Sequence, residues 1–196
     1  MFDIFLYHGT ILGHLESIKA GISIAYSNKY TDFGQGFYLS SQQSHAELTA
    51  MVRSNANRKF LDELSEPVVI RFELPDDAFE ELRWKSFFAP DKEWKEFVLA
   101  NRCKNEMVRQ LGFNHNQDGR YDMVVGPVAD GANGILTVLC SKISSGELTI
   151  PAVNLSDIAP SQNKCWGEQW SFHSDKAISC LKFVNVIYCN RKVVSA

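Results

Sequence analysis

The stretch Tyr7-His8-Gly9-Thr10 places an imidazole, a glycine backbone and a hydroxyl side by side. Such a group can hydrogen-bond a polyhydroxylated ligand such as a ribose, and glycine lets a ligand or a second backbone come close. A histidine at a strand end satisfied by nearby backbone is the competing reading. A second stretch, Asp32-Phe33-Gly34-Gln35-Gly36-Phe37-Tyr38-Leu39-Ser40, sets two glycines before an apolar run. They allow a tight turn, after which Phe37 and Tyr38 point to opposite faces of a strand. With Phe37 in the core, Tyr38 presents a flat ring on which a planar ligand can stack. Packing of Tyr38 with its hydroxyl satisfied is the alternative.

A third stretch lies near the other end of the chain, Gly167-Glu168-Gln169-Trp170-Ser171-Phe172-His173. Strand alternation gives Trp170 and Phe172 one face, expected to be the core side, and Gln169, Ser171 and His173 the other. Glu168 and Gln169 therefore cannot reach one cleft equally well. Further polar candidates are Arg102 at the end of a helical pattern, and Asp122 and Asp130 flanking an apolar run. Arg102 can bind a diphosphate, or pair with Asp122 or Asp130 to hold the scaffold. Glu93 and Glu96 read as solvated helix positions, and His14, His45 and His115 as surface residues.

These residues need elements to hold them. Asp3 to His8 is expected to be a strand, and Leu12 to Ala20 a helix capped by Gly21. Ile22 to Gly36 is a loop, and Phe37 to Ser40 a strand. A helix follows over Ala46 to Asn57, with Ser41 or Ser44 as its cap and Ser44-x-x-Glu47 as a capping box. Val68 to Leu74 alternates like a strand. Asp91 caps a longer helix through Trp94, Phe97, Val98 and Leu99. Tyr121 to Val125, Gln169 to His173 and Leu181 to Cys189 read as strands; Asn133 to Ser141 and Ile150 to Ile158 read as helical. Mixed elements without βαβ alternation predict an α+β fold with mainly antiparallel pairing.

The 196 residues fit one domain over 1–196, with 45% hydrophobic and 22% charged residues. A net charge of -3 argues against a broad nucleic-acid footprint. No apolar run reaches the length of a membrane span. Met1-Phe2-Asp3-Ile4 lacks the basic opening of a secretion signal, so a cytoplasmic setting is expected. The five cysteines form no C-x-x-C pair. They are expected to be reduced, buried thiols rather than a disulfide framework, and no metal site is expected.

His-Gly-Thr on one strand, followed by Gly-x-Gly-Phe-Tyr-Leu-Ser on the next with a helix behind it, resembles the NAD-binding half of ADP-ribosyltransferases. The branch is the His-Tyr one, which includes diphtheria toxin and the poly(ADP-ribose) polymerases. With Trp94-Lys95-Glu96-Phe97-Val98, Asn101-Arg102 and Tyr121 to Asp130, nearly the whole chain resembles a bacterial family of unknown function assigned to that superfamily. The resemblance implies an ADP-ribosyltransferase-like split sheet with flanking helices and an NAD cleft. It implies that His8, Gly9 and Thr10 bind NAD, with His8 on a ribose and the Gly9 backbone on the carboxamide. Phe37 and Tyr38 belong to the same site, and Tyr38 stacks on nicotinamide. Tyr26, Tyr30 and Lys29 fall in the loop that would cover the site.

The superfamily places a glutamate at the start of a late strand; the family pattern puts Gln169 there, with Glu168 as the alternative. Asp122 and Asp130 are candidates for holding the acceptor. Glutamine can hydrogen-bond a ribose hydroxyl but cannot take a proton at neutral pH. The resemblance then implies single-unit ADP-ribose transfer from NAD to a macromolecular acceptor, protein or nucleic acid, by an intracellular effector or toxin with a cognate antitoxin. The alternatives are an NAD glycohydrolase and a non-catalytic NAD- or nucleotide-binding sensor.

Overall fold

The structure is a computed structural model and describes residues 4–57, 63–104, 106–129, 133–149, 158 and 168–189. Its centre is a seven-stranded open sheet in the order β4-β5-β6-β2-β1-β3-β7. The strands are β1 (Ile4–Ile11), β2 (Phe37–Ser40), β3 (Pro67–Leu74), β4 (Trp84–Ser86), β5 (Met123–Pro127), β6 (Glu168–Phe172) and β7 (Lys182–Tyr188). Only β4 and β5 run parallel; the other neighbours are antiparallel. The fold is α+β, as the mixed pattern predicts.

Helices cover both faces. They are α1 (Leu15–Ala20), α2 (Gln43–Ala56), α3 (Ala78–Glu81), α4 (Lys92–Arg102), α5 (Glu106–Gln110), α6 (Asn133–Ser144) and α7 (Asp175–Ser179). On one face, Trp94, Phe97 and Leu99 of α4 pack with Phe33, Val124 and Leu136. On the other, Leu6, Leu39, Ile70, Phe72, Trp170 and Phe172 form a second core. Trp170 and Phe172 thus lie on the core face their alternation predicts, and the face carrying Gln169, Ser171 and His173 is buried too.

Local chemistry explains the element ends. Asp91 caps α4, its Oδ1 accepting from the Trp94 backbone N–H at 2.9 Å, a contact that contributes about 1 kcal/mol. The capping box expected at Ser44 does not form: α2 starts two residues earlier than its hydroxyl would require, with Gln42 at the N-cap and no side-chain cap bond. The first strand also runs past His8. Gly9, Thr10 and Ile11 continue in register with Val69, Val68 and Pro67 of β3, so His8 sits inside β1 rather than at its end.

The expectation of reduced cysteines is corrected for one pair. Cys103, just after α4, and Cys140 of α6 are disulfide-bonded, with Cα atoms 4.9 Å apart. The cause is tertiary: the two helices pack on each other, bringing together residues 37 apart in sequence. Cys180 and Cys189 are free thiols. The helix expected over Ile150 to Ile158 falls outside the described residues except for Ile158, which is buried. No helix among the described residues is long and apolar enough to cross a membrane.

Candidate functional site

The sheet is nearly interrupted between β1 and β2. β1 pairs with β3 along its whole length, but with β2 only through Tyr7 and Ser40. Beyond that rung the strands part, and a cavity of about 410 Å³ opens there, walled by β1, β2, the 31–32 turn, α2, Arg102 and Gln169. Its size falls in the ordinary range of small-molecule sites.

His8 spans the parting. By alternation it lies on the side of Leu6, with its ring stacked on Phe37 at 4.3 Å. Its Nδ1 lies 2.7 Å from the Tyr38 carbonyl oxygen, and its Nε2 lies 3.1 Å from Nη1 of Arg53. A guanidinium only donates, so Nε2 is the acceptor and Nδ1 carries the hydrogen that it donates to Tyr38. Burial, then the Arg53 charge, pushes His8 down to about 3; the imidazole is neutral at physiological pH. Arg53 also donates to the Gly9 carbonyl at 2.8 Å. Gly9 is required by packing: a Cβ there would stand 1.9 Å from the Ala46 carbonyl oxygen of α2.

The tyrosine ring lines the cavity while its hydroxyl is fully engaged. It donates to the Gly34 carbonyl at 2.8 Å, accepts from the Phe33 N–H at 3.0 Å, and meets the Thr31 hydroxyl at 2.8 Å. Burial raises this phenol well above its usual range. The two readings of Tyr38 thus coexist: the hydroxyl ties down the 31–34 turn and the ring faces the ligand space. The two glycines serve different ends here. Gly34 has φ +92°, and Gly36 lies so close to His173 that a Cβ would stand 2.7 Å from its Nδ1.

Gln169 reaches the cavity from β6. Its Nε2 donates to Oδ2 of Asp32 at 2.7 Å and to the Pro127 carbonyl at 3.1 Å. Asp32 is 4% exposed and also accepts from Arg102 Nε at 2.5 Å and from the Ala129 N–H at 3.0 Å. A buried carboxylate is tolerated because three donors converge on it.

Several sequence expectations are redirected. Glu168 is exposed at the start of β6 and does not line the cavity. Thr10 is fully buried with its hydroxyl 3.2 Å from His14, away from the cavity wall. Phe37 packs beneath His8 in the core. Tyr26 is 94% exposed and takes no part. Arg102 pairs with Asp32. Asp122 is held by Arg83 at 2.9 Å at the far end of the sheet; these hydrogen bonds hold its carboxyl down to about 2. Asp130 lies outside the described residues. His45, expected at the surface, lines the cavity, with Nδ1 3.1 Å from the Ser40 hydroxyl. Among the described residues no group of three or more His, Cys, Asp or Glu could hold a metal.

Sequence reasoning missed Arg53 and Asp32 as site residues. A signal for Arg53 was present: Ala46, Ala50 and Arg53 repeat at helical spacing, with two small residues packed on β1 and one long cation at the rim. Asp32 carried no local signal, since its partners Arg102, Ala129 and Gln169 are remote in sequence.

The site thus belongs to an α+β protein with an open, mostly antiparallel sheet and a largely apolar, cation-rimmed cavity at its centre. A family model described as a protein of unknown function (DUF3990) matches residues 4–183. The chain belongs to that family. No curated protein and no solved structure matches it.

Proposed function

We propose that this protein is an NAD-dependent mono-ADP-ribosyltransferase that cleaves the nicotinamide–ribose bond and transfers ADP-ribose to a macromolecular acceptor. The observation that carries the reading is the meeting of His8, Tyr38 and Gln169, from three separate strands, on one cavity where the sheet parts. These are the residues that the motif resemblance assigns to ribose binding, nicotinamide stacking and the reacting ribose.

The chemistry follows from their atoms. The Tyr38 ring provides a rigid stacking face, its hydroxyl being occupied elsewhere. The neutral His8 can accept from a ribose hydroxyl at Nε2 in exchange for its bond from Arg53. Arg53 and Arg102 on the rim supply positive charge for a diphosphate. Both amide hydrogens of Gln169 are committed, so its Oε1 is the atom available to accept from a ribose hydroxyl. Its carbonyl dipole then faces the positive charge that develops on the ribose as nicotinamide leaves. Gln169 cannot act as a base, and holding the ribose in near-attack geometry is its role. Transfer of one unit is the activity this arrangement suits.

The test is incubation of the purified protein with NAD labelled in its ADP-ribose part, together with cell extract, and measurement of nicotinamide release. Label on protein or nucleic acid is the expected result. Free labelled ADP-ribose alone would make the protein a glycohydrolase, and bound but intact NAD would make it a nucleotide-binding module. Full turnover by Tyr38→Ala would remove the stacking role.

A further inference from the structure

We infer that Asp32 is a positioning residue that sets which atom of Gln169 faces the cavity, and that it thereby requires a neutral amide at position 169. The consequence for turnover rests on the function proposed above; the geometry does not. Gln169 Nε2 lies between two oxygens, Asp32 Oδ2 at 2.7 Å and the Pro127 carbonyl at 3.1 Å. Both only accept. An amide turned by half a rotation would set Oε1 against them, lone pair to lone pair, and take one donor from each, leaving Oδ2 only the Ala129 N–H and the Pro127 carbonyl only the Trp94 indole N–H. The amide is therefore locked with Oε1 away from Asp32.

Asp32 is able to do this because it is itself immobilised. Arg102 Nε and the Ala129 N–H each bond one of its oxygens. The turn that carries it is tied through Thr31, Phe33 and Gly34 to the Tyr38 hydroxyl. The stacking residue and the ribose-facing residue are thus linked through a carboxylate that needs no contact with ligand. Of the charged and titratable groups around the cavity, Asp32 is the one bonded to Gln169. Arg102 is bound to Asp32, and Tyr7, His8, Tyr38, His45 and Arg53 belong to β1, β2 and α2.

A glutamate at position 169 would set two carboxylates at hydrogen-bonding distance, and such a pair retains one proton well above the ordinary range. Protonated, its hydroxyl donates to Asp32 as the amide does and its carbonyl faces the cavity. Deprotonated, it is repelled from that position.

The experiment compares Gln169→Glu with the double variant Asp32→Asn/Gln169→Glu. The introduced carboxyl is titrated by carbon-13 NMR, and nicotinamide release from NAD is followed across pH. In Gln169→Glu the introduced carboxyl is expected to titrate about two or more pH units above the ordinary value near 4.3. Turnover should fall about tenfold or more as pH rises through that value, a limb the parent lacks. In the double variant an amide again meets a carboxylate, so the titration returns to the ordinary range and the limb disappears. Ordinary titration in folded Gln169→Glu, or a pH profile like the parent's, would overturn the assignment. Should Gln169→Glu not fold, recovery of the fold in the double variant supports the pairing and its failure counts against it. If the parent releases no nicotinamide, the enzymatic reading fails while the titration still decides the role of Asp32.

Discussion

Tyr38→Phe removes one oxygen atom and leaves the ring that lines the cavity. The structure says what that atom does. It touches three groups in the 31–34 turn, donating its one hydrogen to the Gly34 carbonyl, accepting from the Phe33 N–H and only touching the Thr31 hydroxyl, and they do not lose equally. Thr31 keeps a partner, because its hydroxyl also donates to the Gly34 carbonyl at 2.5 Å, and the same bond keeps that carbonyl satisfied. The Phe33 N–H has no such second bond among the described residues, and Phe33 is fully buried. Leaving one buried donor unpaired costs about 1–3 kcal/mol, and this single group dominates the loss. Urea unfolding should therefore show Tyr38→Phe less stable by that amount with an unchanged slope, since the surface exposed on unfolding is the same. On the proposed function, nicotinamide release should drop as well, through kcat more than through KM, because the turn carries Asp32 while the ring that would stack is retained. A Tyr38→Phe protein within about 0.5 kcal/mol of the parent would refute the claim that the hydroxyl anchors the turn.

Two further outcomes follow from the packing and the buried histidines. Gly9→Ala should destabilise the fold by about 3 kcal/mol or more, because the new methyl meets the Ala46 carbonyl at 1.9 Å and the Ala50 nitrogen at 2.8 Å, both backbone atoms of α2 that cannot step aside; a denaturation midpoint like the parent's would show that β1 and α2 separate freely. Stability should also fall on acidification. Burial lowers His8 to about 3 and His173 to about 4, so below about pH 6.5 the unfolded chain takes up protons that the folded one refuses. Each histidine then contributes a loss of up to about 1.4 kcal/mol per pH unit, until the pH reaches its folded value. Denaturation curves at pH 7 and pH 5 test this: His173→Gln should remove about half of the difference, His8 keeping the rest, and equal stability of the parent at both pH values would contradict the burial of neutral imidazoles.

What could be read from the sequence divides along physical lines. Strands with alternation or a glycine signature, such as Phe37 to Ser40 and Val68 to Leu74, were legible because their period reports two different faces. So was α4, whose apolar positions recur at three and four behind an Asp cap. β4 was not, since Trp84, Lys85 and Ser86 are too few to show a period and are held by pairing with Met123 to Val125. His8 and Tyr38 could be singled out by residue type and flanking glycines, and Gln169 by the family pattern on a strand face that alternation makes polar. The helical spacing of Ala46, Ala50 and Arg53 held a signal that went unread, whereas Asp32 could not be assigned, because it is defined by atoms far along the chain. The Cys103–Cys140 bond was hidden for the same reason: only the packing of α4 on α6 makes those two cysteines neighbours.

The contact of Arg53 with His8 and Gly9 makes the guanidinium an internal ligand of the site. A neutral imidazole has one lone pair, and Arg53 already uses it. Any hydroxyl that bonds Nε2 of His8 does so by exchange, trading one donor for another, so this contact adds little net affinity. On the proposed function it would act instead as a filter: a neutral sugar that displaces Arg53 gives the guanidinium nothing in return, whereas a ligand carrying its own anion near the hydroxyl gives it a new partner in the same event. A phosphorylated ribose is then expected to bind in preference to a bare one.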